Sequence, residues 1–103
     1  MAEEIGLRIF DDTFLNLQKA MHVATKRQTV IAQNIANADT PGYVALEFDE
    51  VLDKAVKRAG AKNVVLEEEM ASLSDNSIKY SAYVKLLSSK INILRTVASQ
   101  GKR

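Results

Sequence analysis

The strongest constraint on the fold is the spacing of apolar residues over the last third of the chain. Leu66, Met70, Leu73, Ser77, Tyr80, Val84, Leu87, Ile91, Leu94 and Ala98 alternate three and four apart, and only Ser77 is polar. An α-helix turns once in 3.6 residues, so this spacing gathers the whole set into one stripe, the a/d seam of a heptad repeat. Glu67, Glu68 and Glu69 crowd the first turn, and Lys102 and Arg103 follow the end. Both placements oppose the helix macrodipole. Asn63 stands where an N-cap is wanted, and Gly101 where a helix stops. The spacing predicts a helix about 50 Å long.

A second seam lies near the other end. Phe14, Leu17, Met21, Ala24, Gln28, Ile31, Ile35 and Ala38 repeat the alternation, interrupted only by Gln28. Asp11 or Asp12 can cap its start. Thr40 precedes Pro41, which pushes it out of the α region, so the helix should end near Ala38 or Asp39 after about 40 Å. One Pro and four Gly in 103 residues suit a chain that is mostly helix. The expected fold is all-α, with long N- and C-terminal heptad helices pairing as a coiled coil. Residues 1–39 and 64–103 would form one coiled-coil domain, with 40–63 as a connecting segment.

That segment opens on Thr40-Pro41-Gly42-Tyr43. Pro41 pre-sets φ for the second position of a β-turn, and Gly42 supplies the positive φ of type II at the third. Val44, Leu46 and Phe48 alternate as in a short extended piece. Phe48, Val51, Leu52, Ala55 and Val56 then fall at helical spacing, which predicts a short amphipathic helix ending near Gly60. Its wet face would carry i,i+4 pairs among Asp49, Glu50, Asp53, Lys54, Lys57 and Arg58.

A closed hairpin of the two seams does not account for every aliphatic residue. On the C-terminal helix Ile78, Ala82, Leu86 and Ile93 lie away from the seam, and Val97 flanks it. A helix apolar on more than one face is buried on more than one face. The chain has no other long helix, so the missing cover is another subunit. The expected assembly interface comprises Leu17, Met21, Ala24, Ile31 and Ile35, with Met70, Leu73, Tyr80, Val84, Leu86, Leu87, Ile91, Ile93 and Leu94.

The residues offer little to an enzyme. His22 is the only histidine and cysteine is absent, which excludes a His-based triad or a multi-His metal site within one chain. His22 falls at the b position of the first helix, off the seam, and reads as a solvated side chain. Glu67, Glu68 and Glu69 point about 100° apart around a helix and cannot converge on one ion. A net charge of +1 with interspersed signs gives no surface for nucleic acid. No phosphate loop or nucleophile elbow is present, and neither a cofactor nor a small-molecule substrate is expected. No run approaches the roughly 20 apolar residues needed to span a bilayer, and the acidic start has no signal-peptide core. Export, if it occurs, would read no cleavable signal.

The stretch Asn34-Ile35-Ala36-Asn37-Ala38-Asp39-Thr40-Pro41-Gly42-Tyr43 resembles the signature of the bacterial flagellar rod and hook proteins, Ala-Asn-x-x-Thr-Pro-Gly-Tyr. Ala36, Asn37, Thr40, Pro41, Gly42 and Tyr43 match it. Arg27-Gln28, Glu69-Met70, Leu73, Asn76, Ile78, Lys79, Tyr80, Leu86-Leu87 and the run from Ile93 to Val97 are similar to the proximal rod class. The resemblance covers both terminal helices and departs in the middle, which is shorter than the family leads one to expect.

It implies an axial subunit of the basal body rod that contributes to motility, passes the flagellar type III secretion apparatus, and ends in the rod across the periplasmic space. Implied partners are other copies of itself, other rod proteins, the membrane ring, the adaptor at the rod base and the export apparatus. Phe10 and Phe14 resemble the short element by which early substrates engage the export gate. Tyr43 is expected against a neighbouring helix. The competing class is a cytosolic helical adaptor or secretion chaperone holding partner helices in a groove; it explains the spare aliphatic face but not the signature.

Overall fold

In a computed structural model, residues 9–60 and 62–101 are described. A π-helical turn, Ile9–Phe14, leads into helix α1, Leu15–Ala36. Strands β1, Leu46–Asp49, and β2, Lys54–Lys57, form a two-stranded antiparallel sheet. Helix α2, Leu66–Gly101, completes the order at 36 residues, about 54 Å at 1.5 Å each. Both long helices stand where the periodicity places them. The first begins earlier than an Asp11 or Asp12 cap would allow, because the helical backbone already runs through both residues.

The connecting segment corrects the sequence reading. No short amphipathic helix follows the turn; residues 46–57 form a hairpin in which Leu46 faces Lys57, Glu47 faces Val56, Phe48 faces Ala55 and Asp49 faces Lys54. The helical spacing of Phe48, Val51, Leu52, Ala55 and Val56 is overridden by loop chemistry. Asp49 Oδ1 accepts from the backbone N–H of Val51 at 2.9 Å and of Leu52 at 3.1 Å, which turns the chain at once. Asp53 closes the loop in the left-handed region, at φ 52°. The expected i,i+4 pairs within 49–58 are absent among the described residues; Glu50, Asp53 and Arg58 find partners on the long helices instead.

The chain falls into two compact units, one drawn from residues up to Met21 and from Ser81 onward, the other His22–Tyr80. In the first, Leu17 is buried, and Phe14, Met21, Tyr83, Leu87, Leu94 and Val97 are partly so. In the second, Ala24, Val30, Asn34, Ala45, Glu69 and Asn76 are buried. Three of these six are polar.

On α2 one edge of the predicted seam is covered as expected and the other moves back by one residue. Leu73, Leu87 and Leu94 form the covered edge. Met70, Val84, Ile91 and Ala98 are exposed, whereas the residues just before them, Glu69, Tyr83, Lys90 and Val97, are covered wholly or in part. Within the 22–80 unit the cause is polar: Glu69 and Asn76 are drawn inward by hydrogen bonds to α1. On α1, burial moves from Ile31 and Ile35 towards Val30 and Asn34, because β1 packs on that flank. Among the described residues, no helix is long and apolar enough to cross a membrane.

Candidate functional site

The matched signature begins where α1 ends. With four carbonyls left over at a helix C-terminus, side chains or turns must supply donors. Asn37 does both: its N–H donates to Gln33 O at 3.1 Å and Asn34 O at 3.2 Å, and its Nδ2 donates to Gln33 O at 2.9 Å. Thr40 Oγ1 then donates to Asn37 Oδ1 at 3.1 Å, and Thr40 N–H to Asn37 O at 3.0 Å. Tyr43 N–H donates to Thr40 O at 3.2 Å, closing a four-residue turn with Pro41 second and Gly42 third at φ 78°. That is the type II turn its sequence predicts. Ala36 is the last residue of α1 and exposed.

Tyr43 lies against a helix, α1 of its own chain. It is partly buried, and its hydroxyl donates to Asn34 Oδ1 at 3.1 Å in its own chain. Asn34 is the centre of the site. Its Oδ1 also accepts from Leu46 N–H at 2.9 Å, and its Nδ2 donates to Leu46 O at 2.9 Å and to Glu69 Oε2 at 3.1 Å. The carboxamide thus pairs with Leu46 much as a neighbouring strand would, and all four of its bonds are made although its side chain is fully buried.

Glu69, with 2% of its surface exposed, carries the arrangement to the start of α2. Its Oε1 accepts from Arg58 Nη1 at 2.8 Å, and Arg58 Nη2 donates onward to Leu46 O at 3.2 Å. Arg58 N–H donates to Ala45 O at 2.8 Å, and Ala45 N–H to Lys62 O at 3.0 Å. One polar node therefore joins the end of α1, the turn, both ends of the hairpin and the first turn of α2. No buried side-chain nitrogen or oxygen among the described residues lacks a partner. Charged groups held this tightly are buried because they are paired, not because they do chemistry.

Two exposed pairs hold the hairpin loop to α1: His22 Nε2 with Asp53 Oδ1 at 2.8 Å, and Arg27 Nη2 with Glu50 Oε1 at 2.6 Å. His22 is accordingly solvated, as its position predicts, but not unpartnered. Further along, Asn76 Nδ2 donates to Ala24 O at 2.8 Å and lies 3.5 Å from Gln28 Oε1. A groove of about 350 Å³ runs beside it, lined in part by Val30, Ile31, Leu46, Phe48 and Ser72. Its walls also carry the charges of Arg27, Glu47, Arg58, Asp75 and Lys79, the last two paired at 3.3 Å, and no cluster of three potential metal ligands occurs among the described residues.

The predicted interface residues divide by helix. On α1, Leu17 and Ala24 are buried and Met21, Ile31 and Ile35 partly buried. On α2, Leu73, Leu87 and Leu94 are partly buried, while Met70, Tyr80, Val84, Leu86, Ile91 and Ile93 are exposed. Ile78, off the seam, is 67% exposed. The side chain of Phe10 lies outside the described residues; Phe14 is partly buried. Asn34, Arg58, Glu69 and Asn76 were not singled out by sequence as site residues. A polar residue at the flank of an apolar seam is the signal that marks Asn34 and Asn76.

Residues 14–43 match a family model described as flagella basal body rod protein. The chain is 31% identical to the flagellar basal body rod protein FlgB of Bacillus subtilis (strain 168), over 93% of this chain and 100% of the relative. It is 27% identical to the protein of the same name from Proteus mirabilis (strain HI4320), over 88% and 96%. Against that of Escherichia coli (strain K12), identity is 42% over 53% of this chain and 41% of the relative. The first alignment extends over 129 positions, longer than these 103 residues, so that relative has residues with no counterpart here.

Proposed function

We propose that this chain, which belongs to the family of the flagellar basal body rod protein FlgB, builds its part of the rod by packing its two long helices against those of neighbouring subunits as a coiled coil. It is a structural component of the bacterial flagellar basal body rod and not an enzyme. It assembles with other flagellar rod components.

The observation that carries this reading is the uncovered aliphatic surface of α2. Ile78, Leu86 and Ile93 are exposed on one side, and Met70, Val84 and Ile91 on another. Solvent-exposed aliphatics on two sides of a single helix suit a subunit that neighbours enclose, because each contact removes apolar area from water at about 25 cal/mol per Å². The signature turn serves this arrangement from within: it fixes where α1 stops and where the hairpin begins. The N-terminal stretch, with Phe10 and Phe14, serves export through the flagellar type III apparatus, and the membrane ring and rod-base adaptor are the further neighbours.

Glu in place of Ile78 and Leu86 tests this. In cells lacking the native copy, the double variant is expected to leave basal bodies with rings and no rod under the electron microscope. Complete rods carrying both substitutions would overturn the reading.

A further inference from the structure

We propose that Asn76 sets the register of α1 against α2 within the 22–80 unit, with the Asn34–Glu69 contact as its second pin. Two apolar seams do not by themselves fix how far one helix slides along the other. A shift of one heptad exchanges one aliphatic layer for the next at little loss, and a buried polar group is what distinguishes the layers. Asn76 is such a group: it is 6% exposed and its Nδ2 donates to Ala24 O at 2.8 Å.

The acceptor explains the selectivity. Ala24 carries a single methyl group, which lets a side chain from α2 approach its carbonyl. One heptad to either side on α1 stand Leu17 and Ile31, whose branched side chains shield theirs. A slipped Asn76 would be buried with its donors unmet, a condition native structures avoid.

The second pin fails with the same slip. Moving α2 by a heptad one way brings Asn76 to the place of Glu69, opposite Asn34; the other way runs past its start at Leu66 and calls on Lys62, which precedes the helix. Neither offers the carboxylate that Arg58 meets at 2.8 Å. Both pins are satisfied together in one register only. The register in turn decides which residues of α2 stand beside the hairpin and which are left for neighbours, so Asn76 acts through alignment and not through strength.

A chain without cysteine allows direct measurement. Nitroxide labels at Lys26→Cys and Ser74→Cys, both exposed positions on α1 and α2, report the spacing by pulsed electron resonance in protein diluted with unlabelled chain. The parent should show one distance. Asn76→Leu, with helix content retained, should add a second population at longer distance. The two labels stand level across the helices, so a slide of about 10 Å along the axis, the rise of seven helical residues, lengthens their separation by a few ångströms. Asn76→Ala provides the same comparison should the larger side chain prevent folding, and Gln28→Leu, which removes only the 3.5 Å acceptor, should leave one distance. A single unchanged distance in whichever Asn76 variants fold would overturn the proposal, as would two distances in the parent. A residue with only a structural role would lower the melting temperature and leave the distance distribution alone.

Discussion

Asn34 Nδ2 lies 3.1 Å from Glu69 Oε2 across a sequence separation of 35, and both side chains are buried. This contact joins the last turns of one long helix to the first turn of the other. Replacing Asn34 by Leu strands Leu46 N–H and Glu69 Oε2 and takes the acceptor from the Tyr43 hydroxyl, while Leu46 O keeps Arg58 Nη2. Each unsatisfied buried group costs about 1–3 kcal/mol, so urea denaturation should show a loss of about 3 kcal/mol or more. Asn34→Asp should be destabilised chiefly at neutral pH. The introduced carboxylate faces Glu69, which raises its folded pKa above the unfolded value, so stability should be recovered as pH falls and lost as it rises.

Glu69 and Arg58 form a pair whose two members should behave asymmetrically. Glu69→Ala leaves a guanidinium that is 29% exposed without its carboxylate and should cost about 2–4 kcal/mol. Replacing both residues with apolar ones of similar size should cost less than Glu69→Ala alone, since no charge is then left unpaired. A double-mutant cycle by denaturant unfolding measures the difference.

The tethers of the hairpin loop should matter far less. His22 and Asp53, like Arg27 and Glu50, are about half exposed, and water competes for every one of these groups. His22→Ala and Arg27→Ala should each change stability by less than about 1 kcal/mol. Hydrogen exchange in residues 50–53 should nonetheless speed up, since the loop loses an anchor while the node remains.

Gly42 should tolerate no ordinary side chain, although there is room for one. A Cβ placed there would meet nothing within 4 Å, so the penalty comes from φ at 78° alone. Gly42→Ala should cost about 1–2 kcal/mol, and Gly42→Asn less, because Asn enters the left-handed region more readily. Gly42→Val should impair rod assembly more than secretion. Equal loss of both in culture-supernatant and basal-body assays would assign the turn to export or folding.

Both long helices could be read from the sequence because their apolar period runs for many turns with one polar residue in each, Gln28 and Ser77, and the turn at Thr40–Tyr43 because Pro41 and Gly42 each permit few conformations. The hairpin was not legible. Phe48, Val51, Leu52, Ala55 and Val56 satisfy a helical period as well as any real helix, and what defeats it is one carboxylate, Asp49, bonding two N–H groups ahead of it. One edge of the seam on α2 was misplaced by one residue for a related reason. Counting apolar residues passes over Glu69 and Asn76, which are buried because of partners distant in sequence. The matched signature marked the right place but not its centre: Asn34 makes the contacts that Ala36, exposed at the helix end, does not.

The bond from Ala45 N–H to Lys62 O, with that from Arg58 N–H to Ala45 O, fastens the root of the hairpin below its strands. Everything beyond this clasp can change length without altering the separation at which the chain leaves one helix and enters the other. Closing a longer excursion adds only about 0.6 kcal/mol for each doubling of its size. The Bacillus subtilis relative aligns over 129 positions against 103 residues here, so it carries residues with no counterpart in this chain. A root clasped in this way lets the hairpin beyond it lengthen or shorten while the chain still leaves one long helix and enters the next at the same spacing.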